Sequence, residues 1–217
     1  MTTSDIVRDT ISFVKAELRD AEGGHDWFHI ERVWKNALLI AKDEDCDLLV
    51  VELAALLHDI ADSKFHNGDE TIGPEKARNF LEAAQIDPAT VDHVVNIIGN
   101  MSFKGGNFTV AFQSKELDIV RDADRLDAIG AIGIARAFNY GGFKGRKLYD
   151  PEITPVTNMD KEAYKASVSP TINHFYEKLL LLKDRMRTKT GKELAEKRHR
   201  FMDAFLSEFY AEWNGEQ

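Results

Sequence analysis

Apolar residues recur along this chain at intervals of three and four, and no stretch alternates convincingly for the length of a strand; residues 107–112 come nearest and are short. The pattern predicts an all-α protein. Residues 5–19 place Ile6, Ile11, Val14 and Leu18 on one stripe, with Ser4 as N-cap. After a Glu22-Gly23-Gly24 turn, Asp26 caps a helix whose first turn holds Trp27, Phe28 and His29. Its core face is Ile30, Val33, Trp34, Ala37, Leu38 and Ala41. An acidic connector, 43–47, leads to a helix from about Leu48, in which Leu53, Leu56, Leu57 and Ile60 face inward.

A polar loop, 62–73, follows, then helices over 74–85, with Pro74 at its start, and from Asp87-Pro88 to about Met101. Ser114 caps a helix with Leu117, Val120 and Ala123 on its apolar side, and Gly130 and Gly133 mark close packing or a break. Residues 141–160, rich in Gly and Pro without a period, read as a mobile flap. Ser169-Pro170 opens one helix over TINHFYEKLLLLKDRM. The last helix, Thr190 to Trp213, places Leu194, Phe201, Phe205 and Phe209 inward. No linker, repeat or low-complexity tract divides the chain, so residues 1–217 are expected to form a single helical domain, with the helices of about 169–213 completing core and pocket.

Composition narrows the function. A net charge of -9 argues against nucleic acid, so a phosphate-bearing ligand must be met by a local cluster of cations and metal. The one cysteine, Cys46, sits among acids, excludes an intramolecular disulfide framework and reads as a bystander thiol. The first ten residues carry two acids and no apolar run, and no apolar run elsewhere reaches spanning length. A cytoplasmic protein without membrane partners is expected.

The candidate chemistry lies in four residues: His29 at a helix start, His58 and Asp59 at a helix end, and Asp124 in mid-helix. Asp124 stands next to a face that buries Val120, Ala123 and Leu126, and a carboxylate there needs a partner, either Arg121, Arg125 or a metal. Two imidazoles and two carboxylates suit Mn²⁺, Fe²⁺, Mg²⁺ or Zn²⁺ and leave coordination positions open, as in a catalytic site.

The order HIERV (29–33), LLHDIAD (56–62) and DADRLDAIG (122–130) resembles the HD-domain superfamily of metal-dependent phosphohydrolases, in particular its small stand-alone bacterial members, over most of the chain. The resemblance implies an all-α HD-type bundle. It implies His29, His58, Asp59 and Asp124 as ligands to one divalent ion, Mn²⁺ first among Mn, Mg, Fe, Co, Ni and Zn. Asp62 takes the position of an acid beside the reacting phosphate; it would orient or deprotonate water, protonate the leaving oxygen, or pair with Lys64. Lys64 either makes that pair or touches phosphate. Members with two metals carry further histidines before the last Asp; only His66 and His93 stand there, and His93 reads as solvated. One metal is therefore expected, and the di-iron oxygenase branch is disfavoured.

Phosphate or substrate contacts are expected from His25, Arg32, Lys104, Arg125 and Lys178, with Lys144 and Arg146 as further candidates. His174 and Lys178 lie four apart on one helical face, His174 beside Phe175 at a core edge, and Asp127 could support Asp124. The expected substrate is a small phosphorylated metabolite, a nucleotide first, losing phosphate or pyrophosphate. The alternative is a non-catalytic module that binds metal or nucleotide. Self-association as a homodimer is left open.

Overall fold

The computed structural model describes residues 2–19, 26–61, 69, 71–101, 112–157 and 168–216. Among them are α1 (Thr3–Glu17), α2 (Trp27–Ala41), α3 (Leu48–Leu57), α4 (Ile72–Ala83), α5 (Pro88–Gly99), α6 (Lys115–Asp127), α7 (Gly130–Phe143), α8 (Thr171–Glu177) and α9 (Lys189–Asn214), with a 3-10 helix over Leu179–Arg185. No strand occurs among the described residues. The all-α reading holds.

The chain forms two compact units, Met1–Asp124 and Arg125–Gln217. In the first, α3 is the centre and packs on α1, α2 and α5, while α4 pairs with α5. The reason is compositional. α3 reads LLVVELAALL, and Val50, Val51 and every residue from Leu53 to Leu57 are buried, so it has no solvent face to spare. Asp47 starts it by accepting from the amides of Leu49 and Val50 at 3.0 and 3.2 Å. Trp34 Nε1 donates to Glu52 Oε1 at 3.2 Å and so links α2 to the one charged residue of α3.

Helix starts follow their caps. α1 is capped two residues earlier than expected, at Thr2 and not at Ser4. Thr2 makes a capping box with Asp5, its hydroxyl accepting from the Asp5 amide at 3.2 Å while Asp5 accepts from the Thr2 amide. α4 runs from Ile72, which puts Pro74 inside the first turn. α5 starts at Pro88 under an Asp87 cap, and α6 follows Ser114, whose Oγ accepts from the Leu117 amide at 3.1 Å.

In the second unit α7 packs on α8 and α9, and the 3-10 helix on both α8 and α9. The predicted single helix over 171–186 is instead broken at Lys178. Beyond it Leu179 and Leu182 are buried three residues apart, a spacing that the three-residue turn of a 3-10 helix aligns. In α9 the buried line is Gly191, Ala195, Met202 and Leu206, and Phe201 lies outside it, 54% exposed, contrary to the expectation. Rings of Phe138, Phe175, Phe205 and Phe209 meet stacked, tilted or edge-on at 5.8–6.1 Å to form an aromatic cluster.

Gly130 starts α7 at φ +74° under the side chain of Arg198, and Arg198 donates to the Leu126 carbonyl. Of the Gly- and Pro-rich segment 141–160, residues 141–143 end α7. Residues 144–157 are tied back by Thr171 N to Lys147 O (2.9 Å), Ile172 N to Leu148 O (3.0 Å) and Asn173 Nδ2 to Ile153 O (2.9 Å). Residues 158–160 lie outside the described residues.

Candidate metal centre

Four side chains of the first unit converge. His29 is the third residue of α2, set there by Asp26, whose Oδ1 accepts from the His29 amide at 3.0 Å. His58 caps the C-terminus of α3 in αR conformation, and Asp59 follows, with the buried Ile60 pinning the turn behind them. Asp124 projects from α6. One donor atom each of His29, His58 and Asp59 lies within 4.8 Å of the others. His29 Nε2 stands 4.0 Å from Asp59 Oδ2 and 3.6 Å from Asp124 Oδ1, and His58 Nε2 stands 4.0 Å from the same Asp124 oxygen. The two imidazole rings meet edge to face at 5.4 Å.

These separations are too long for hydrogen bonds and suit a shared ion. With bonds of about 2.1 Å, donors on one ion stand about 3.0 Å apart at a right angle and about 4.2 Å apart when opposed. The tautomer of His58 fits as well. Its Nδ1 lies 2.9 Å from the Ala55 carbonyl oxygen and must donate to it, which leaves the Nε2 lone pair facing Asp124. The C-terminal end of α3 adds negative potential that favours a cation. The His29 side chain is 3% exposed and that of Asp124 43%, so the site is floored by imidazole and open on the Asp124 side. The residues present fit a divalent ion with open positions.

Several neighbours hold this arrangement. Asn36 Nδ2 donates to the Ala123 carbonyl at 3.4 Å and fastens α2 to the backbone just before Asp124, across 87 residues of sequence. Nothing in the sequence marks Asn36. Arg121 Nε donates to the Asn100 carbonyl at 3.1 Å, fixing α6 to the end of α5. Asp122, which also carried no signal, is fully buried.

The remaining expected residues divide. Arg32 is half-buried on α2, one turn beyond His29. Arg125 Nη1 donates to the Arg185 carbonyl at 2.7 Å within the second unit. Asp127 is buried and pairs with Arg136 at 2.6 Å. Lys178 is exposed at the helix break, and His174 is held near pKa 3 by burial and by the charges of Lys178 and Arg146. The core-edge reading of His174 agrees with that. His25, Asp62, Lys64, His66 and Lys104 lie outside the described residues.

His93 is a correction: it is half-buried, with Nε2 3.0 Å from Ser114 Oγ and 3.3 Å from Glu116 Oε2 and its ring against Phe112. Burial pushes the Glu116 carboxyl up, but hydrogen bonds from the Asp47 amide and others outweigh it and hold the group below the usual carboxylate range. Burial and the surrounding acids raise the Cys46 thiol, which suits a bystander.

Residues 27–129, which span all four converging side chains, match the HD domain model. The YpgQ protein of Bacillus subtilis is 41% identical over 196 residues, 90% of this chain and 87% of its own. This chain belongs to the HD-domain superfamily. A solved HD-superfamily hydrolase from Bacillus thuringiensis is 44% identical, with 98% of this chain and 99% of that one covered at a TM-score of 0.79. YpgQ, solved in complex with ADP, superposes with a TM-score of 0.77 at 37% identity over 98% and 97% of the two chains. The adjacent His58-Asp59 pair, directly after α3, lies within the matched residues. No helix among the described residues is long and apolar enough to cross a membrane.

Proposed function

We propose that this HD domain is a metal-dependent phosphohydrolase that acts on a small phosphorylated metabolite, with nucleotides as the substrate class. The observation that carries the reading is the convergence of His29, His58, Asp59 and Asp124 with the His58 tautomer held by Ala55. The ADP bound by YpgQ supports the nucleotide class. A divalent ion held there, Mn²⁺ by preference, would neutralise charge on a phosphoryl group and acidify water. His29, His58 and Asp59 would hold the ion from the floor, and Asp124 would hold it at the open side. Asp62 orients the attacking water and takes its proton, and Lys64 with Arg32 balances phosphate charge. His25, Lys104, Arg125 and Lys178 are assigned to the rest of the substrate, and residues 1–217 act as one catalytic domain in the cytoplasm.

The test is a hydrolysis screen on metal-stripped protein reloaded with Mn²⁺, using nucleoside mono-, di- and triphosphates and a generic phosphomonoester, with phosphate and pyrophosphate resolved. Metal-dependent release that disappears in His58→Ala and Asp59→Ala is the expected result. Tight metal binding without turnover on any of these substrates would sink the hydrolase reading and favour a binding module.

A further inference from the structure

Two side chains of α2 reach the same point of α6. His29 Nε2 stands 3.6 Å from Asp124 Oδ1, and Asn36 Nδ2 donates to the Ala123 carbonyl at 3.4 Å. His29 and Asn36 are seven residues apart, close to two full turns, so both leave one face of α2, about 10 Å apart along its axis. Their targets are consecutive residues of α6. A carbonyl only accepts, so Asn36 must present its NH₂ group there, and its partner fixes its orientation.

The Ala123 carbonyl is coupled to the metal centre by the backbone. It belongs to the same planar peptide unit as the Asp124 nitrogen, and that unit cannot twist about its C–N bond. A donor on the oxygen therefore orients the plane from which Asp124 springs. Of the four converging side chains, Asp124 depends most on such help. Its side chain is 43% exposed, against 19% for Asp59, 5% for His58 and 3% for His29, so surrounding packing does less to hold it. The same Oδ1 atom of Asp124 faces both imidazoles, at 3.6 and 4.0 Å, so a shift of this residue alters two separations together.

We infer that Asn36 is a positioning residue of the metal centre: by holding the Ala123–Asp124 peptide it sets the reach of Asp124 to the ion, and with it the affinity for metal. This rests on the metal-binding part of the function proposed above and not on hydrolysis. The test is titration of the metal-stripped full chain with Mn²⁺, the free ion being read by its electron paramagnetic resonance signal. It compares wild type, Asn36→Ala, Asp124→Ala and the double variant, with the melting midpoint of each in EDTA as the record of folding. Alanine removes the donor at a half-buried helical position without a helix penalty. Asn36→Ala should weaken Mn²⁺ binding by about 10–100-fold, the range for losing an outer contact to a metal ligand. In the Asp124→Ala background the same substitution should change affinity by less than about twofold, because the two residues act as one unit. Asn36→Gln, which keeps the amide donor, should bind Mn²⁺ more tightly than Asn36→Ala. Unchanged affinity in Asn36→Ala, whether or not the midpoint falls, would show a merely structural tie and overturn the inference, as would an equal loss in both backgrounds. Absence of Mn²⁺ binding by the wild type would overturn the metal reading as well, a result distinct from binding that ignores Asn36.

Discussion

His58 Nδ1 sits 2.9 Å from the carbonyl oxygen of Ala55, one turn back on the same helix. That bond decides which nitrogen of His58 can serve a metal, and it is made by backbone, so no side-chain replacement at Ala55 can remove it. The ligand itself can be removed. His58→Ala should lower metal affinity by more than about 100-fold, beyond what loss of a supporting bond costs, and take metal-dependent hydrolysis with it. Elemental analysis after dialysis gives the metal content. A full complement of metal in the variant would show that the ion binds elsewhere.

Asp62 separates chemistry from binding. Asp62→Asn keeps size and hydrogen bonding but removes the base. Turnover should fall by about 10²–10⁴-fold while metal content stays at the wild-type level. Parallel kinetics and metal analysis check both halves. Full turnover in Asp62→Asn would remove Asp62 from the mechanism.

His174 gives the protein an acid-side weakness. Its folded pKa, about 3, lies below the ordinary value of 6.5, because burial and then Lys178 and Arg146 disfavour the imidazolium. Between those two values the unfolded chain binds more protons than the folded one, so this contribution to stability is present above pH 6.5 and declines as pH falls. At pH 5 the loss is about 2 kcal/mol. Thermal melts of wild type and His174→Gln at pH 7 and pH 5 should show a larger acid-induced drop in the wild type. Equal drops would contradict it.

Gly133 packs where no side chain fits. A Cβ there would stand 2.2 Å from the Ala128 carbonyl oxygen, which is backbone and cannot rotate away. Gly133→Ala should destabilise by about 2 kcal/mol through strain at the α6–α7 corner. A lowered urea midpoint is the readout, and an unchanged midpoint would mean that the corner has slack.

What the sequence made legible follows from range. Helices announce themselves in a local period, so α2 and α3 could be read directly, and residue type singled out the four side chains that the fold brings together, His29, His58, Asp59 and Asp124. The Thr2 cap was also readable, since Thr2 and Asp5 have capping-box spacing, but Ser4 competes for the same role. Phase in a long helix is harder. α9 runs for 26 residues, and a stripe drawn through Phe201 is one position from the buried Met202. His93 and Asn36 could not be read at all. Their partners, Ser114 and Ala123, lie 21 and 87 residues away, and only the assembled helices bring them together.

The burial of α3 on every side has a kinetic corollary. Hydrogen exchange proceeds through local openings, and an element packed all round opens only with the unit that encloses it. The amides of 51–57 should therefore be among the slowest to exchange in the first unit. The His58-Asp59 pair at the end of that helix is then held in place through the small fluctuations that loosen the periphery.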